Sequence, residues 1–408
     1  MHRKKILILT SCCLVILILN NCISAQKRSK DPRGEDYAGS VKCKSCHKEI
    51  YDTYLKTAHH LTSSPALKTA IKGSFAKDSN TVFYRPTLKV VMEQTDSGFY
   101  QAAYIDDVEK QAARFDIVIG SGRKGQSYLS WLDSNIFQLP VSYYVPGKRW
   151  VNSPGYPPKF VLFNRNIPIG CFECHSSYIK RTATKPSGDY LMDYFDSKQI
   201  LYGIDCERCH GPAAAHVKFH QENPDEKEPK FIISIASLDR QEKLDMCAIC
   251  HSGARETITS TFNFKPGSKL ANYLHPDTST LSTNDIDVHG KQYQLLAASK
   301  CFIKSKTLTC FSCHNPHVKE REKIEEFSKR CMSCHTNPNH NSLKMDAASK
   351  VSIANNCIDC HMPAKPSKII TMKSLDQNDS ICAMVRTHYI SVYADVSKKY
   401  LQRKKSDK

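Results

Sequence analysis

Acidic side chains are scarce in this chain of 408 residues: 40 Asp and Glu stand against 58 Lys and Arg, so the formal net charge is +18. A long hydrophobic run is lacking near the N-terminus, where the apolar stretch of residues 6–19 is too short to span a bilayer comfortably. Charged residues make up only 24% of the chain and hydrophobic residues 40%, which excludes a disordered protein. Cysteine is abundant instead, and nineteen cysteines are too many for thiols that serve packing alone.

The N-terminal segment has the features of a secretory signal in their usual order. His2, Arg3, Lys4 and Lys5 form a polar, positively charged start, and the apolar stretch follows directly. A conventional cut after Ala25 predicts a signal peptide over residues 1–25. A lipoprotein-type cut, which would leave Cys22 as a lipid-carrying first residue on a membrane, and an uncleaved anchor remain open. All three alternatives predict an exported or periplasmic protein.

Fourteen cysteines fall into one pattern, Cys-x-x-Cys-His, which occurs seven times. The composition predicts about 0.04 such motifs by chance. The seven motifs are Cys43-x-x-Cys46-His47, Cys171-x-x-Cys174-His175, Cys206-x-x-Cys209-His210, Cys247-x-x-Cys250-His251, Cys310-x-x-Cys313-His314, Cys331-x-x-Cys334-His335 and Cys357-x-x-Cys360-His361.

This spacing suits the covalent attachment of haem. On a helical turn, positions i, i+3 and i+4 share a face, so two thiols can form thioethers with one haem while the imidazole lies beneath its iron. Zinc sites do not need a His after every Cys pair, a disulfide framework does not need uniform spacing, and a thioredoxin-like redox pair would occur once. The motifs therefore predict seven covalent haem c groups, with each motif His as a proximal ligand.

Seven haems also change the interpretation of the positive charge. They would add fourteen propionates, so much of the excess Lys and Arg is expected to balance the cofactors rather than to bind nucleic acid or an anionic membrane. The expected partners are redox proteins or a quinol-linked donor, and nucleic acid is not expected.

Nine further histidines could serve as distal ligands, which is enough for seven irons. They are His59, His60, His216, His220, His275, His289, His317, His340 and His388, of which His60, His220 and His340 are the weakest candidates. Methionine could also ligate iron, although core packing is its more common use.

The motifs are unevenly spaced, and a gap of 128 residues separates the first from the second. Within this gap, runs of β-branched and aromatic residues between turn signals predict a small antiparallel β-insertion, with strands at 81–84, 88–93, 99–105, 115–119, 128–132 and 136–144. We predict a signal peptide over 1–25, a first haem segment over 26–60, the β-rich insertion over 61–165, haems two to four over 166–270, a loop with distal His over 271–300, and haems five to seven over 301–408.

The motifs and their flanks resemble multihaem cytochromes c of the cytochrome c-552/c-554 type, relatives of pentahaem nitrite reductase and octahaem hydroxylamine oxidoreductase. The resemblance rests on the first motif followed by Thr57-Ala58-His59, on residues 203–212 with His216, on residues 310–317 and on residues 357–363. It implies a multihaem cytochrome c fold, mainly α and irregular around a haem-filled core, to which the β-insertion is added. It implies as distal ligands His59, His216, His289, His317 and His388; His275 is a further candidate because its loop could reach back to an iron bound elsewhere.

Departures from the family bear on function. The nitrite reductases usually bind substrate at a haem whose motif ends in Lys, and no Cys-x-x-Cys-Lys occurs here. The leading hypothesis is therefore an electron carrier. An oxidoreductase acting on a nitrogen or sulfur oxyanion at one haem with an open distal face remains an alternative, and a haem-stabilised binding module is a second one. Cys301 and Cys382 are left over, either as a disulfide or as packed or unpaired thiols.

Overall fold

The fold is described from a computed structural model, which covers residues 31–278, 291–340, 345, 347–373 and 380–406. The predicted signal peptide, Cys22 and His289 lie outside the described residues. No helix in the described part of the chain combines the length and the apolar character needed to cross a membrane. Cys301 and Cys382 are both free thiols in the structure.

Most helices are short, and many of them carry or adjoin a Cys-x-x-Cys-His motif. The described helices are α1 (Ser40–Cys43), α2 (Lys48–Tyr54), α3 (Ile169–His175), α4 (Cys206–His210), α5 (Ala214–Glu222), α6 (Arg240–His251), α7 (Gln292–Ala297), α8 (Lys300–Lys304), α9 (Ile324–Met332), α10 (Ala347–Ala354), α11 (Ile358–His361) and α12 (Ala394–Ser406). Short 3-10 turns include His60–Thr62, Ile235–Ser237, Thr261–Asn263, Leu270–Asn272 and Cys310–Ser312.

Antiparallel strands fill the gap between the first and second motifs. They are β1 (Ser63–Pro65), β2 (Thr81–Arg85), β3 (Leu88–Thr95), β4 (Gly98–Ile105), β5 (Val108–Arg114), β6 (Ile117–Ile119), β7 (Gly125–Leu132), β8 (Asn135–Gln138), β9 (Val141–Tyr144), β10 (Arg149–Asn152) and β11 (Arg165–Asn166). Strands β2 to β5 form a four-stranded meander, and the others form a seven-stranded sheet built around β7.

The predicted and observed strands differ in several places, and β1, β5, β10 and β11 have no counterpart among the predicted strands. The expected strand over 136–144 is divided into β8 and β9 on either side of Leu139 and Pro140, because proline has no backbone N–H to donate to a ladder. Strand β5 was not predicted, because it is an edge strand whose side chains are almost all exposed and its polar sequence shows no alternation.

The insertion has a hydrophobic core made by its own side chains. Val90 and Met92 of β3 are fully buried against the seven-stranded sheet. Phe115 stacks on Tyr128 with ring centroids 4.4 Å apart, and Trp150 packs edge-on against Tyr143 at 5.0 Å. The insertion is therefore a folded unit that does not depend on a cofactor to fill its interior.

A second core cluster joins the insertion to the motif-bearing part of the chain. Phe172, which lies inside the second motif, is buried with Ile117 and Ile136 of the insertion and with Phe195. The insertion consequently covers the second motif.

Two further hairpins make the chain richer in strands than expected. Strands β12 (Ser176–Ser187) and β13 (Tyr190–Tyr202) pair after the second motif, and β14 (Ala364–Lys373) and β15 (Ser380–Arg386) pair after the seventh. The prediction of a mainly α and irregular chain with one small β-insertion is therefore confirmed only in part, since helices and several antiparallel sheets coexist.

Candidate haem sites

Each motif is held on a tight turn by its own backbone. The N–H of the motif His donates to the carbonyl of the first motif Cys, for example at 2.8 Å from His47 to Cys43, 2.9 Å from His314 to Cys310 and 3.0 Å from His335 to Cys331. These i to i+4 bonds place the two thiols and the imidazole on one face, as the spacing predicts.

The third motif is bound to the segment before the first motif by a buried ionic cluster. The Arg33 guanidinium lies 2.7 Å from Asp205 and 3.2 Å from Glu207. Burial by itself would lower the pKa of Arg33, but the carboxylates of Asp31 and Asp205 outweigh burial and raise it. Glu207 also accepts hydrogen bonds from the backbone N–H groups of residues 38, 39 and 213. These contacts fix motifs one and three against each other.

Neighbouring motifs touch in an unbroken series whose order is one, three, two, four, five, six, seven. In four steps, thiols of different motifs lie close enough together to shift each other's pKa: Cys43 and Cys206, Cys174 and Cys250, Cys247 and Cys310, and Cys331 and Cys357. In the other two steps an arginine makes the contact.

The two arginines each donate to a backbone carbonyl of another motif. Arg208 of motif three donates to the carbonyl of Glu173 in motif two at 3.2 Å. Arg330, which precedes motif six, donates to the carbonyl of Cys313 in motif five at 2.6 Å. Groups attached to successive motifs in this series would therefore be close neighbours.

Four motif histidines face a second histidine at similar distances. The ring centroids are 6.1 Å apart for His251 and His59, 5.8 Å for His210 and His317, 6.3 Å for His314 and His388, and 6.2 Å for His361 and His340. A metal lies about 2 Å from an imidazole nitrogen, so two rings on opposite sides of one iron have centroids roughly 6 Å apart. The four pairs have the spacing that an iron between them requires.

Two of the facing rings are held in the form that can bind iron. Burial, followed by the neighbouring His251 and His314, lowers the pKa of His59 to about 4. Burial, again followed by His314 and His251, lowers the pKa of His388 to about 4. Both rings are therefore neutral near pH 7, and a neutral imidazole retains the lone pair that a ligand donates.

The proximal ring of motif seven shows how its tautomer is fixed. Nδ1 of His361 lies 2.9 Å from the carbonyl oxygen of Ser391, which can only accept, so Nδ1 carries the proton and Nε2 is left for a metal. Nδ1 of His175 in motif two lies 2.9 Å from the Thr62 hydroxyl, which can donate or accept and so leaves the tautomer of this ring open.

Buried polar atoms without partners lie near motif three. The side chain of Arg208 is almost fully buried, yet its Nε and Nη1 groups have no hydrogen-bond partner among the described residues. The Tyr54 hydroxyl is also buried without a partner. Such groups are costly unless something supplies acceptors, and the carboxylates of a haem are acceptors of the right kind. The residues around this motif therefore fit a haem.

The remaining candidate distal ligands are placed differently. His216 and His220 face each other at 4.6 Å, which is shorter than two rings on one iron require, and Nδ1 of His216 lies 2.8 Å from the Lys230 carbonyl. His60 packs edge-on against Tyr54 at 5.8 Å. His275 is exposed, and its backbone carbonyl accepts from Arg255.

Comparison with known proteins gives two informative matches. The chain is 24% identical to the multiheme cytochrome MtrA of Shewanella baltica (strain OS185) over 213 residues, which are 49% of this chain and 54% of that protein. The crystal structure of the outer cell wall cytochrome OcwA superposes with a TM-score of 0.52 at 17% identity, covering 89% of this chain and 81% of that one. The findings support a multihaem c-type cytochrome.

The extent of these matches differs. The alignment to MtrA spans about half the length of that cytochrome, whereas the match to OcwA covers most of both chains and shows a shared fold. No family model matches the sequence. The prediction of a multihaem cytochrome is thus confirmed at this level, and its kinship with the c-552/c-554 type stays a prediction.

His340, one of the weakest candidates by sequence, is placed near a motif histidine in the structure. It follows the sixth motif by five positions, and its ring lies against His361 of the seventh motif. The signal that could have found it is the short spacing between motifs six and seven, which leaves few residues to supply a second ring.

Proposed function

We propose that the chain is an exported electron-transfer protein that carries seven covalently bound haems, one at each Cys-x-x-Cys-His motif. The unbroken series of contacts between motifs is the observation that carries this proposal. A haem bound at each motif would supply an iron that changes between the ferric and ferrous states. Motifs in contact would hold these irons close together, as conduction through a protein requires.

The proposal assigns two histidine ligands to most irons. The facing rings favour His59 for motif four, His317 for motif three, His388 for motif five and His340 for motif seven. The resemblance to the c-552/c-554 group adds His216 and His289 for other irons, and we propose kinship with that group on the same residues. Two imidazoles favour low potentials, because thioether ligation raises the potential relative to imidazole.

The proposed partners are redox proteins or a quinol-linked donor rather than nucleic acid, because haem propionates would balance much of the positive charge. The proposed location is the periplasm or another exported compartment, with lipid attachment at Cys22 as the alternative to cleavage after Ala25. The proposed location and the two alternatives for processing are inferred from the N-terminal sequence.

A count of haems and of their spin states tests the proposal. The protein is produced with its export signal in a host that has haem-attachment machinery, and its intact mass is expected to exceed that of the polypeptide by seven haems. Electron paramagnetic resonance of the oxidised protein is expected to be dominated by low-spin ferric signals. A lower mass would contradict the count. A strong high-spin signal would contradict the carrier and favour an oxidoreductase with an open distal face.

A further inference from the structure

The proximal imidazole of motif five lies beside a buried carboxylate. The side chain of Glu320 is only 8% exposed, and its Oε2 lies 3.6 Å from Nδ1 of His314. The same oxygen accepts the backbone N–H of Asn315 at 3.1 Å. At 3.6 Å the contact to His314 is electrostatic rather than a formed hydrogen bond, so what Glu320 brings to the ring is negative charge.

The carboxylate is held in place from the other side. Oε1 of Glu320 accepts from Nη2 of Arg330 at 2.5 Å, and Nη1 of the same arginine donates to the Cys313 carbonyl at 2.6 Å. Phe327 packs edge-on against the His314 ring at 5.4 Å, and Arg330 lies over Phe327. Glu320 therefore cannot turn away from His314 without breaking its ion pair with Arg330, whose side chain is 29% exposed.

Other proximal rings meet a neutral oxygen at the same position. Nδ1 of His361 faces the carbonyl of Ser391, and Nδ1 of His175 faces the hydroxyl of Thr62. A carboxylate at this atom raises the basicity of a ligating imidazole more than a neutral acceptor does, because it stabilises positive charge on the ring N–H. A more basic ligand stabilises ferric iron and lowers the reduction potential.

We propose that Glu320 is a positioning residue that lowers the reduction potential of the haem held by motif five. This inference rests on the proposed function, because it requires a haem at Cys310, Cys313 and His314. It sets that haem apart from those of motifs two and seven. The haems along the series of motifs are therefore expected to have different reduction potentials.

The test is Glu320→Gln, which keeps the shape of the side chain and removes its charge. Potentiometric titration of the complete haem-loaded protein, followed by electron paramagnetic resonance, is expected to show one low-spin haem with a raised midpoint potential and an altered g-value. The other haems should keep their midpoint potentials and g-values. The matched control is Glu326→Gln on the same segment, whose exposed carboxylate pairs with Lys329 at 3.0 Å and should leave every haem unchanged.

A double variant distinguishes an effect of Glu320 through the His314 ring from an effect of the local net charge on the reduction potential. Glu320→Gln with Arg330→Gln removes both partners, so the local net charge is unchanged. If Glu320 acts through His314, much of the upward shift is expected to persist. Complete cancellation of the shift, or no shift in Glu320→Gln itself, overturns the inference.

A failure of the proposed function would appear in the haem count rather than in the potential of one haem. Intact mass records the haem count of each variant, so absence of haem from the unmodified protein contradicts the cytochrome proposal and not the tuning alone. If Glu320→Gln fails to retain all its haems, Glu320→Asp serves instead. It keeps the negative charge but withdraws the carboxylate from His314 by one methylene group, so it should raise the potential of the same haem by a smaller amount; an unchanged or lowered potential overturns the inference.

Discussion

Under the proposed function, single histidines decide which irons have two protein ligands. His317 lies three positions after His314 of the fifth motif, yet its ring centroid is 5.8 Å from that of His210 of the third motif, with 16° between the ring planes. Pro316 between His314 and His317 disfavours helical geometry at Asn315, which directs the two rings to different places. A residue next to one motif thus lies near the histidine of another.

His317→Ala is expected to leave all seven haems covalently attached but to open one axial position, at motif three. One low-spin signal in electron paramagnetic resonance should become high-spin or respond to added ligands such as imidazole. The control is His275→Ala, because His275 is exposed in a loop. An unchanged spectrum for His317→Ala, or a change matched by the control, would show that His317 ligates no iron.

The sequence is informative at the residue scale where chemistry dictates spacing, and less so elsewhere. The motif turns follow from the i, i+3, i+4 geometry of helices, and every one is visible in the printed sequence. The pairing of His340 with His361 depends on how two chain segments pack, which local sequence does not encode. The same limit applies to Arg33, whose partners Asp205 and Glu207 are 172 and 174 residues away.

At the scale of elements, α6 is the helix that carries the fourth motif at its C-terminal end. Asp239 caps its first turn by accepting from the N–H of Glu242 at 2.8 Å, and the Glu242 side chain accepts from the N–H of Asp239 at 2.8 Å. This reciprocal capping box satisfies backbone groups that a helix end leaves unpaired.

Asp239→Ala is expected to destabilise the protein by about 1 kcal/mol, the usual cost of losing a capping side chain. Urea unfolding followed by circular dichroism and by haem absorbance should show a lower midpoint with unchanged haem content. Asp225→Ala, at an exposed loop position, is the matched control. Equal stability of the two variants would mean that the cap contributes nothing measurable.

The strands show where sequence patterns succeed and fail. Strands β3 and β4 match the prediction closely. Alternate residues of β3 are buried, so apolar residues recur at every second position of its sequence. Strand β5 has no buried side chain, and the long hairpin of β12 and β13 twists through several register shifts, so neither carries that period. An alternating pattern of apolar and polar residues therefore cannot predict strands that lack one buried face.

At the scale of the whole molecule, two kinds of interior coexist. The insertion is filled by its own side chains, among them Met92, Tyr128 and Trp150. The motif segments instead contain polar atoms that lack partners and rings set apart at the spacing of a bound iron. The expectation of a core made mostly of porphyrin therefore holds as a hypothesis only for the motif segments.

Protein made without haem attachment should consequently be partly folded. Hydrogen exchange monitored by mass spectrometry is expected to show protected amides in β3, β4 and β7 and rapid exchange across the motif turns. The haem-loaded protein is expected to protect both regions. Uniform rapid exchange in the haem-free chain would mean that the insertion depends on the cofactors after all.

The contact between the first and third motifs also has a consequence for biosynthesis. The backbone N–H of Cys206 donates to the Ser40 hydroxyl across 166 residues of chain, so motif one does not reach its final surroundings until motif three has been synthesised and has come to lie beside it. Bringing together segments so far apart is slow, because a long loop must close first. The first thioethers are therefore expected to form while the nascent polypeptide is still open, and the attachment enzyme would meet an extended substrate instead of a preformed pocket.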